Sequence, residues 1–391
     1  MRFFTDKELF NYVRNFPPDS VQSLKELFSK YLLEEVSIDY ILENIYRRND
    51  ILLIDARTEF EFEETFIPAS VNFPILNTEE RHYVGLVYKK YSSTAAVKLA
   101  MEFADPKSEK LKEFLSLKRA DEKEIIVYCW RGGGRSKYLA TMISDLGYKC
   151  RILTGGIKSY RRKVNELWEI SPFPYGIIEL SGMTGAGKTD ILKKLSESTP
   201  VIDLEKAARH FSSLFGYVPY FIQLISPVMK QSAFENSVFA QIIRGRNSNN
   251  FRNLFFIESE SKKVGDFFIP DSLFDKMQIS PCILVLSTTE SRIKRIVNDY
   301  FGVRLQGLKP MMRIFKEKEK FFRKELSNKL YDKLLTDLEN GEVYEFTEIM
   351  LTEYYDKKYK VKPKTPVLTV NSDDMVNAVS SIKEYYSKNC N

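Results

Sequence analysis

Short unbroken apolar runs, each about the length of one buried strand, recur along the chain between stretches of helical spacing. In the first half they are Ile51-Leu52-Leu53-Ile54 and Ile125-Ile126-Val127-Tyr128, with a further strand at Tyr148 through Leu153 that carries Lys149 and Arg151. In the second they are Leu254 through Ile257 and Ile283 through Leu286, and Tyr175 through Leu180, Val201-Ile202-Asp203 and Val367 through Val370 read as strands with one polar residue each. Continuous rather than alternating apolarity marks strands buried on both faces, as in a parallel sheet covered by helices. Helical patterns fill the intervals: up to Arg48, Glu79 to Leu115, Ser136 to Leu146, Gly156 to about Trp168, Asp190 to Ser196, Glu290 to Leu338, and from Asp373. The fold class predicted is α/β, in two units. Ser171-Pro172-Phe173-Pro174 reads as a stiff hinge between them, because two prolines forbid continued helix.

The predicted division is a helical N-terminal extension over 1–36, a first α/β domain over 37–170, a second over 171–300, and a mostly helical region over 301–391. Within the extension, one amphipathic helix spans Asp6 to Phe16. A second, capped by Asp19 or Ser20, runs to Glu35.

Composition narrows the function. No apolar run approaches a membrane span, and Met1 to Phe10 lacks an apolar signal core, so a cytoplasmic protein with no membrane partner is expected. Cys129, Cys150, Cys282 and Cys390 form no C-x-x-C pair, which argues against a zinc site and a disulfide framework. His82 and His210 are the only histidines, excluding chemistry that needs several. The net charge of +6 permits a polyanionic partner.

Chemistry concentrates at two loops. The first is Tyr128-Cys129-Trp130-Arg131-Gly132-Gly133-Gly134-Arg135-Ser136, between a strand and a helix. A cysteine there lies under backbone N–H groups and at the positive end of a helix, with Arg131 and Arg135 adding full charges. Surroundings of this kind lower a thiol pKa from about 8.5 to between roughly 3.5 and 7.5. Gly132, Gly133 and Gly134 let the N–H groups turn inward on an anion. A structural cysteine has no use for three glycines flanked by arginines, so Cys129 reads as a nucleophile.

The second loop, Gly182-Met183-Thr184-Gly185-Ala186-Gly187-Lys188-Thr189, matches G-x-x-x-x-G-K-[ST] in full, after an apolar strand and before a helix. Its backbone is suited to wrap a diphosphate, Lys188 to neutralise it, and Thr189 to hold Mg²⁺. Asp203 and Glu258, at the ends of neighbouring strands, are acidic candidates for a metal, although neither belongs to a strong Walker B run. Between them lie Phe211, Phe215, Tyr217, Tyr220 and Phe221, which read as core packing or as an apolar pocket beside the diphosphate.

Taken together, Asp55-Ala56-Arg57 and the Cys129 loop resemble the rhodanese fold. A rhodanese domain fused to a phosphate-loop domain resembles the tRNA 2-selenouridine synthase family. The likeness runs through Ile67-Pro68-Ala69-Ser70-Val71-Asn72, Asn77-Thr78-Glu79-Glu80-Arg81, Gly155-Gly156, Asp203-Leu204-Glu205, Ala208-Arg209-His210, Ile257-Glu258-Ser259-Glu260-Ser261 and Glu353-Tyr354-Tyr355-Asp356, nearly everything from 37 to 360. It departs at Thr65-Phe66 and Phe211-Ser212. The resemblance implies geranyl transfer from geranyl diphosphate to the sulfur of a wobble 2-thiouridine, in the anticodon arm of a tRNA. Selenium from selenophosphate then replaces the S-geranyl group.

On that reading Cys129 carries selenium, while Arg131, Arg135, Ser136 and the loop bind selenophosphate. The Gly182–Thr189 loop holds geranyl diphosphate, and no cofactor is tightly bound. Asp55 and Arg57 brace the cysteine loop. Glu205, His210 and Glu258 are supporting candidates for a metal or for orientation, with an ordinary buried role equally open. Tyr354 and Tyr355 are candidates to stack on unpaired bases. The run Arg292, Lys294, Arg295, Lys309, Arg313, Lys316, Lys318, Arg323 and Lys324 either follows the tRNA backbone or is a solvated helix face. Two other readings stay open. Cys129-x5-Arg135 has the spacing of cysteine phosphatases, and the phosphate loop also suits a nucleotide-dependent kinase or binding module with a rhodanese sensor.

Overall fold

Ile126 and Val127 are fully shielded from water, and the first sheet is laid around them. The computed structural model describes residues 5–17, 23–28, 32–228, 230–358 and 364–389. They divide into two compact units, Met1–Asn165 and Glu166–Asn391.

In the first unit, β1 (Glu34–Val36), β2 (Ile51–Asp55), β3 (Val71–Asn72), β4 (Glu124–Tyr128) and β5 (Cys150–Leu153) form one sheet in the order β1-β5-β4-β2-β3. Every pairing in it is parallel. Burial on both faces explains the unbroken apolar runs of β2 and β4. Register places Asp55, the last residue of β2, beside Tyr128, the last of β4. Both strands therefore deliver their polar ends to one edge of the sheet.

The helix expected to reach Glu35 is instead the short Leu24–Phe28, followed by β1. Glu34 to Val36 pair with Arg151 to Leu153, and that ladder outweighs the helical preference of two glutamates. Asp19 and Ser20 lie outside the described residues. The first helix, Asp6–Arg14, opens on a Thr5–Glu8 capping box and buries Leu9 and Val13 in the core of this unit. Residues 1–36 thus contribute to both the core and the sheet.

In the second unit, β6 (Gly176–Ser181), β7 (Val201–Ile202), β8 (Leu254–Glu258), β11 (Cys282–Leu286) and β12 (Pro366–Asn371) form a parallel sheet in the order β12-β11-β6-β8-β7. A small hairpin, β9 (Lys263–Val264) with β10 (Phe267–Phe268), stands apart from it. Because β12 closes one edge, residues 301–391 fold into the same unit as the phosphate loop. Helices between Thr289 and Ile349 build a second core around Phe315, whose ring lies 4.6 Å from Phe322 and 4.8 Å from Tyr331.

Candidate active sites

β4 runs directly into Cys129, and the helix Gly134–Asp145 starts with Gly133 as its cap, two residues earlier than the pattern predicts. The turn Gly155-Gly156 presses against the loop from below. Ile157 N donates to Cys129 O at 2.9 Å and Lys158 N to Trp130 O at 3.3 Å. A Cβ on Gly156 would lie 2.2 Å from Cys129 O and 2.9 Å from the nitrogens of Arg131 and Gly132. The loop is therefore moulded on a bare backbone.

The Cys129 thiol is only 4% exposed, with Sγ 3.2 Å from Ser136 Oγ. Ser136 also reaches Gly133 O at 3.1 Å, so its single proton is available to either partner. Arg131 is exposed on the rim. Arg135 is held by Glu61, at 2.5 and 3.3 Å. Burial alone would raise Glu61, but the Arg135 hydrogen bond and charge hold it below the usual carboxylate range. Of the two arginines assigned to an incoming anion, one stands open and the other is anchored by a glutamate that the sequence did not single out.

Asp55 and Arg57 are both fully buried and joined at 2.7 Å. Arg57 also donates to Thr65 O, at the Thr65-Phe66 departure, and its Nη1 has no hydrogen-bond partner. Ala56 N donates to Tyr128 O, which ties this pair to the residue before Cys129. Their place is beneath the loop, acting through its backbone.

The phosphate loop leaves β6 and enters the helix Lys188–Leu195 through Gly187 at φ 82°. Three successive carbonyls are bonded from outside. Arg292 Nε donates to Thr184 O at 2.8 Å, Arg295 Nη1 to Gly185 O at 3.2 Å, and Ser372 Oγ to Ala186 O at 2.7 Å. Turning carbonyls outward favours turning N–H groups inward, the arrangement that takes an anion. A Cβ on Gly185 would meet Ile296 Cδ1 at 2.9 Å and Arg292 O at 3.1 Å. Lys188 Nζ folds back on Gly182 O and Met183 O, at 3.2 and 3.4 Å.

Arg292 and Arg295 belong to the basic stripe of the sequence, yet both turn to the phosphate loop. Arg292 is buried, paired with Asp356, and both arginines brace the loop. Lys294, Arg313, Lys316 and Arg323 are engaged with acidic neighbours. Tyr354, offered as a base-stacking residue, is buried in the helical core.

Carboxylates gather on the far side of the loop. Glu258 ends β8, the strand next to β6. Asp203, after β7, caps the helix Leu204–Ala208 by accepting from Lys206 N at 2.8 Å, and its backbone is gripped by Gln241. Glu205 accepts from Ser212 N at 2.7 Å and from Thr189 Oγ1 at 3.4 Å. One oxygen from each of Glu205, Glu258 and Glu260 lies within 4.8 Å of the other two. Glu260 completes a cluster that the sequence reading left incomplete, and Asp203 is not in it. Burial, then the charges of Glu258 and Glu260, push Glu205 well above the usual carboxylate range. Burial likewise pushes Glu258 up. His210 packs against Gly216 and Gly265, and burial lowers its pKa.

Glu205, His210, Glu258 and Glu260 line a cleft of about 730 Å³. Residues 184–189 of the phosphate loop line it, and so do Phe211, Leu214, Ile296, Tyr300 and Tyr355. Of the aromatic tract singled out in the sequence, Phe211 faces this cleft, Phe215 joins the helical core, Tyr220 is buried with its hydroxyl on Glu205 O, and Phe221 is exposed.

No helix among the described residues is long and apolar enough to cross a membrane. A family model described as tRNA 2-selenouridine synthase AAA domain matches residues 176–388, and a rhodanese-like domain model matches 37–163. The tRNA 2-selenouridine synthase of Nitrosomonas europaea is 34% identical over 253 residues, 64% of this chain and 64% of the relative. That of Bdellovibrio bacteriovorus is 33% identical over 261 residues, 66% of each chain. That of Shewanella halifaxensis is 28% identical over 351 residues, 83% of this chain and 93% of the relative. The first two matches span just under two thirds of the relatives' own length.

Proposed function

The chain belongs to the tRNA 2-selenouridine synthase family, and we propose that it exchanges the 2-sulfur of a wobble 2-thiouridine in tRNA for selenium, in the cytosol, in two steps. In the first, the thiouridine sulfur attacks the carbon of geranyl diphosphate that bears oxygen. Diphosphate leaves, and the N3 proton of the base goes to solvent or to a carboxylate. On this reading the phosphate loop with Lys188 holds the departing anion, and Thr189 would hold Mg²⁺ against it. The observation that supports this step is one cleft lined by both the phosphate loop and Phe211, Tyr300 and Tyr355, of a size ordinary for a small organic ligand.

In the second step selenium from selenophosphate replaces the alkylated sulfur, which leaves as geranylthiol. Electron balance decides how Cys129 takes part. Selenium in a selenosulfide stands two electrons above selenium in selenophosphate, so a thiolate attacking selenium must expel phosphite or find an oxidant. Attack of the Cys129 thiolate on phosphorus needs neither. The S–P bond forms, the P–Se bond breaks, selenide attacks C2 of the base, and water returns the thiol and phosphate. Ser136 Oγ, 3.2 Å from the sulfur, supports this role by holding the thiolate.

Nucleoside mass spectrometry tests the reading. Thiolated tRNA with geranyl diphosphate alone is expected to give S-geranyl-2-thiouridine, and adding selenophosphate should convert it to 2-selenouridine. Lys188→Ala should stop the first product. Geranyl transfer at the wild-type rate by that variant overturns the assignment of the loop.

A further inference from the structure

The acidic cluster in the cleft is more than a phosphate loop requires. Magnesium at such loops is usually bound through one or two carboxylates plus the phosphates it arrives with. Here three glutamates from two segments converge: Glu205 on the helix after β7, Glu258 at the end of β8, and Glu260 just beyond it. Glu258 is 4% exposed, and its Oε1 is buried with no hydrogen-bond partner. A buried carboxylate oxygen left unpaired is costly unless something binds it.

We propose that Glu205, Glu258 and Glu260 form a site for one divalent cation of the magnesium, manganese and calcium class, and that it fills with no diphosphate present. The donor set is all oxygen, which selects hard cations over zinc or copper. The three oxygens lie within 4.8 Å of one another, no farther apart than opposite ligands of a cation whose oxygen ligands lie about 2.4 Å away. Glu205 is already oriented by Ser212 N, and Thr189 Oγ1 stands 3.4 Å from it, on the helix that the phosphate loop enters. A cation held here is in place before the anion comes and is then shared with it. Binding is therefore ordered, cation first, and the orphaned oxygen of Glu258 gains its partner in the resting protein.

The test is Mn²⁺ binding to the full-length protein, read by electron paramagnetic resonance and calorimetry, with no phosphate compound present. One Mn²⁺ per chain is expected, displaced by excess Mg²⁺. Glu258→Gln and Glu260→Gln should each weaken it tenfold or more while retaining the wild-type circular dichroism spectrum. Lys188→Ala, which removes a positive charge from the cleft, should leave binding as tight or tighter. Failure of the wild-type protein to bind Mn²⁺ without a diphosphate overturns the proposal. So does wild-type affinity in the Glu258→Gln, Glu260→Gln double variant. No tRNA, prenyl or selenium compound enters the assay, so the result stands apart from the reaction proposed above.

Discussion

Replacing Gly156 by alanine should eject the loop that carries Cys129. The added methyl has nowhere to go, since it would lie 2.2 Å from Cys129 O and 2.9 Å from two further backbone nitrogens. Gly156 also sits at φ +56°, where a side chain costs about 1–2 kcal/mol. Moving the loop away to relieve the clash breaks the bonds from Ile157 N and Lys158 N to Cys129 O and Trp130 O. At about 1 kcal/mol each, these bring the expected loss to roughly 3–4 kcal/mol. The assay pairs urea unfolding with iodoacetamide labelling, each cysteine being followed by peptide mass spectrometry. In the wild type Cys129 is 4% exposed and should label slowly; in Gly156→Ala it should label at least about tenfold faster in native buffer. Labelling at the wild-type rate, with stability within about 0.5 kcal/mol of wild type, would refute the claim that the Gly155-Gly156 turn moulds this loop.

Three further outcomes follow from the same geometry. Arg57→Ala strips Asp55, at 0% exposure, of its ion-pair partner and leaves it only the backbone N–H of residue 57 from that position, and urea melts should report a loss of about 3–5 kcal/mol. Arg292→Gln removes the bond to Thr184 O and the pair with Asp356, so calorimetry should find inorganic diphosphate bound about tenfold more weakly, or about 1.4 kcal/mol. Asp299, in the same cleft, is raised to about 6 by burial and then by the charge of Asp190. The folded state therefore holds this proton more tightly than the unfolded chain. Its contribution is fully present below the unfolded value near 3.8 and is lost as pH rises through about 6, by at most about 3 kcal/mol. Asp299→Asn should remove that part of the pH dependence between 4 and 7, and an unchanged stability profile contradicts it.

Much of this architecture is legible in the chain because burial on both faces writes itself as uninterrupted apolar residues. β2, β4, β8 and β11 carry that mark, β6 carries it except at Glu179, and Gly182 through Thr189 carries its own. β1 and the β9–β10 hairpin leave no such trace, since two- and three-residue strands are made by their partners rather than by their composition. Charge is harder to read than apolarity. Arg292 and Arg295 share a helix with the exposed Lys294, and only the third dimension turns them toward the phosphate loop. Glu61 and Glu260 look like ordinary surface acids until the fold sets one against Arg135 and the other beside Glu205 and Glu258. The shielding of Cys129 escapes the sequence for a similar reason, because the Gly155-Gly156 turn that supports its loop comes from a distant part of the chain.

If the cysteine loop and the phosphate loop run separate halves of one exchange, Cys129→Ser separates them. Incubated with thiolated tRNA, geranyl diphosphate and selenophosphate, this variant should accumulate S-geranyl-2-thiouridine at the wild-type rate and form no 2-selenouridine. Selenouridine formed by Cys129→Ser at the wild-type rate, or loss of its geranyl transfer while the protein remains folded, contradicts the account.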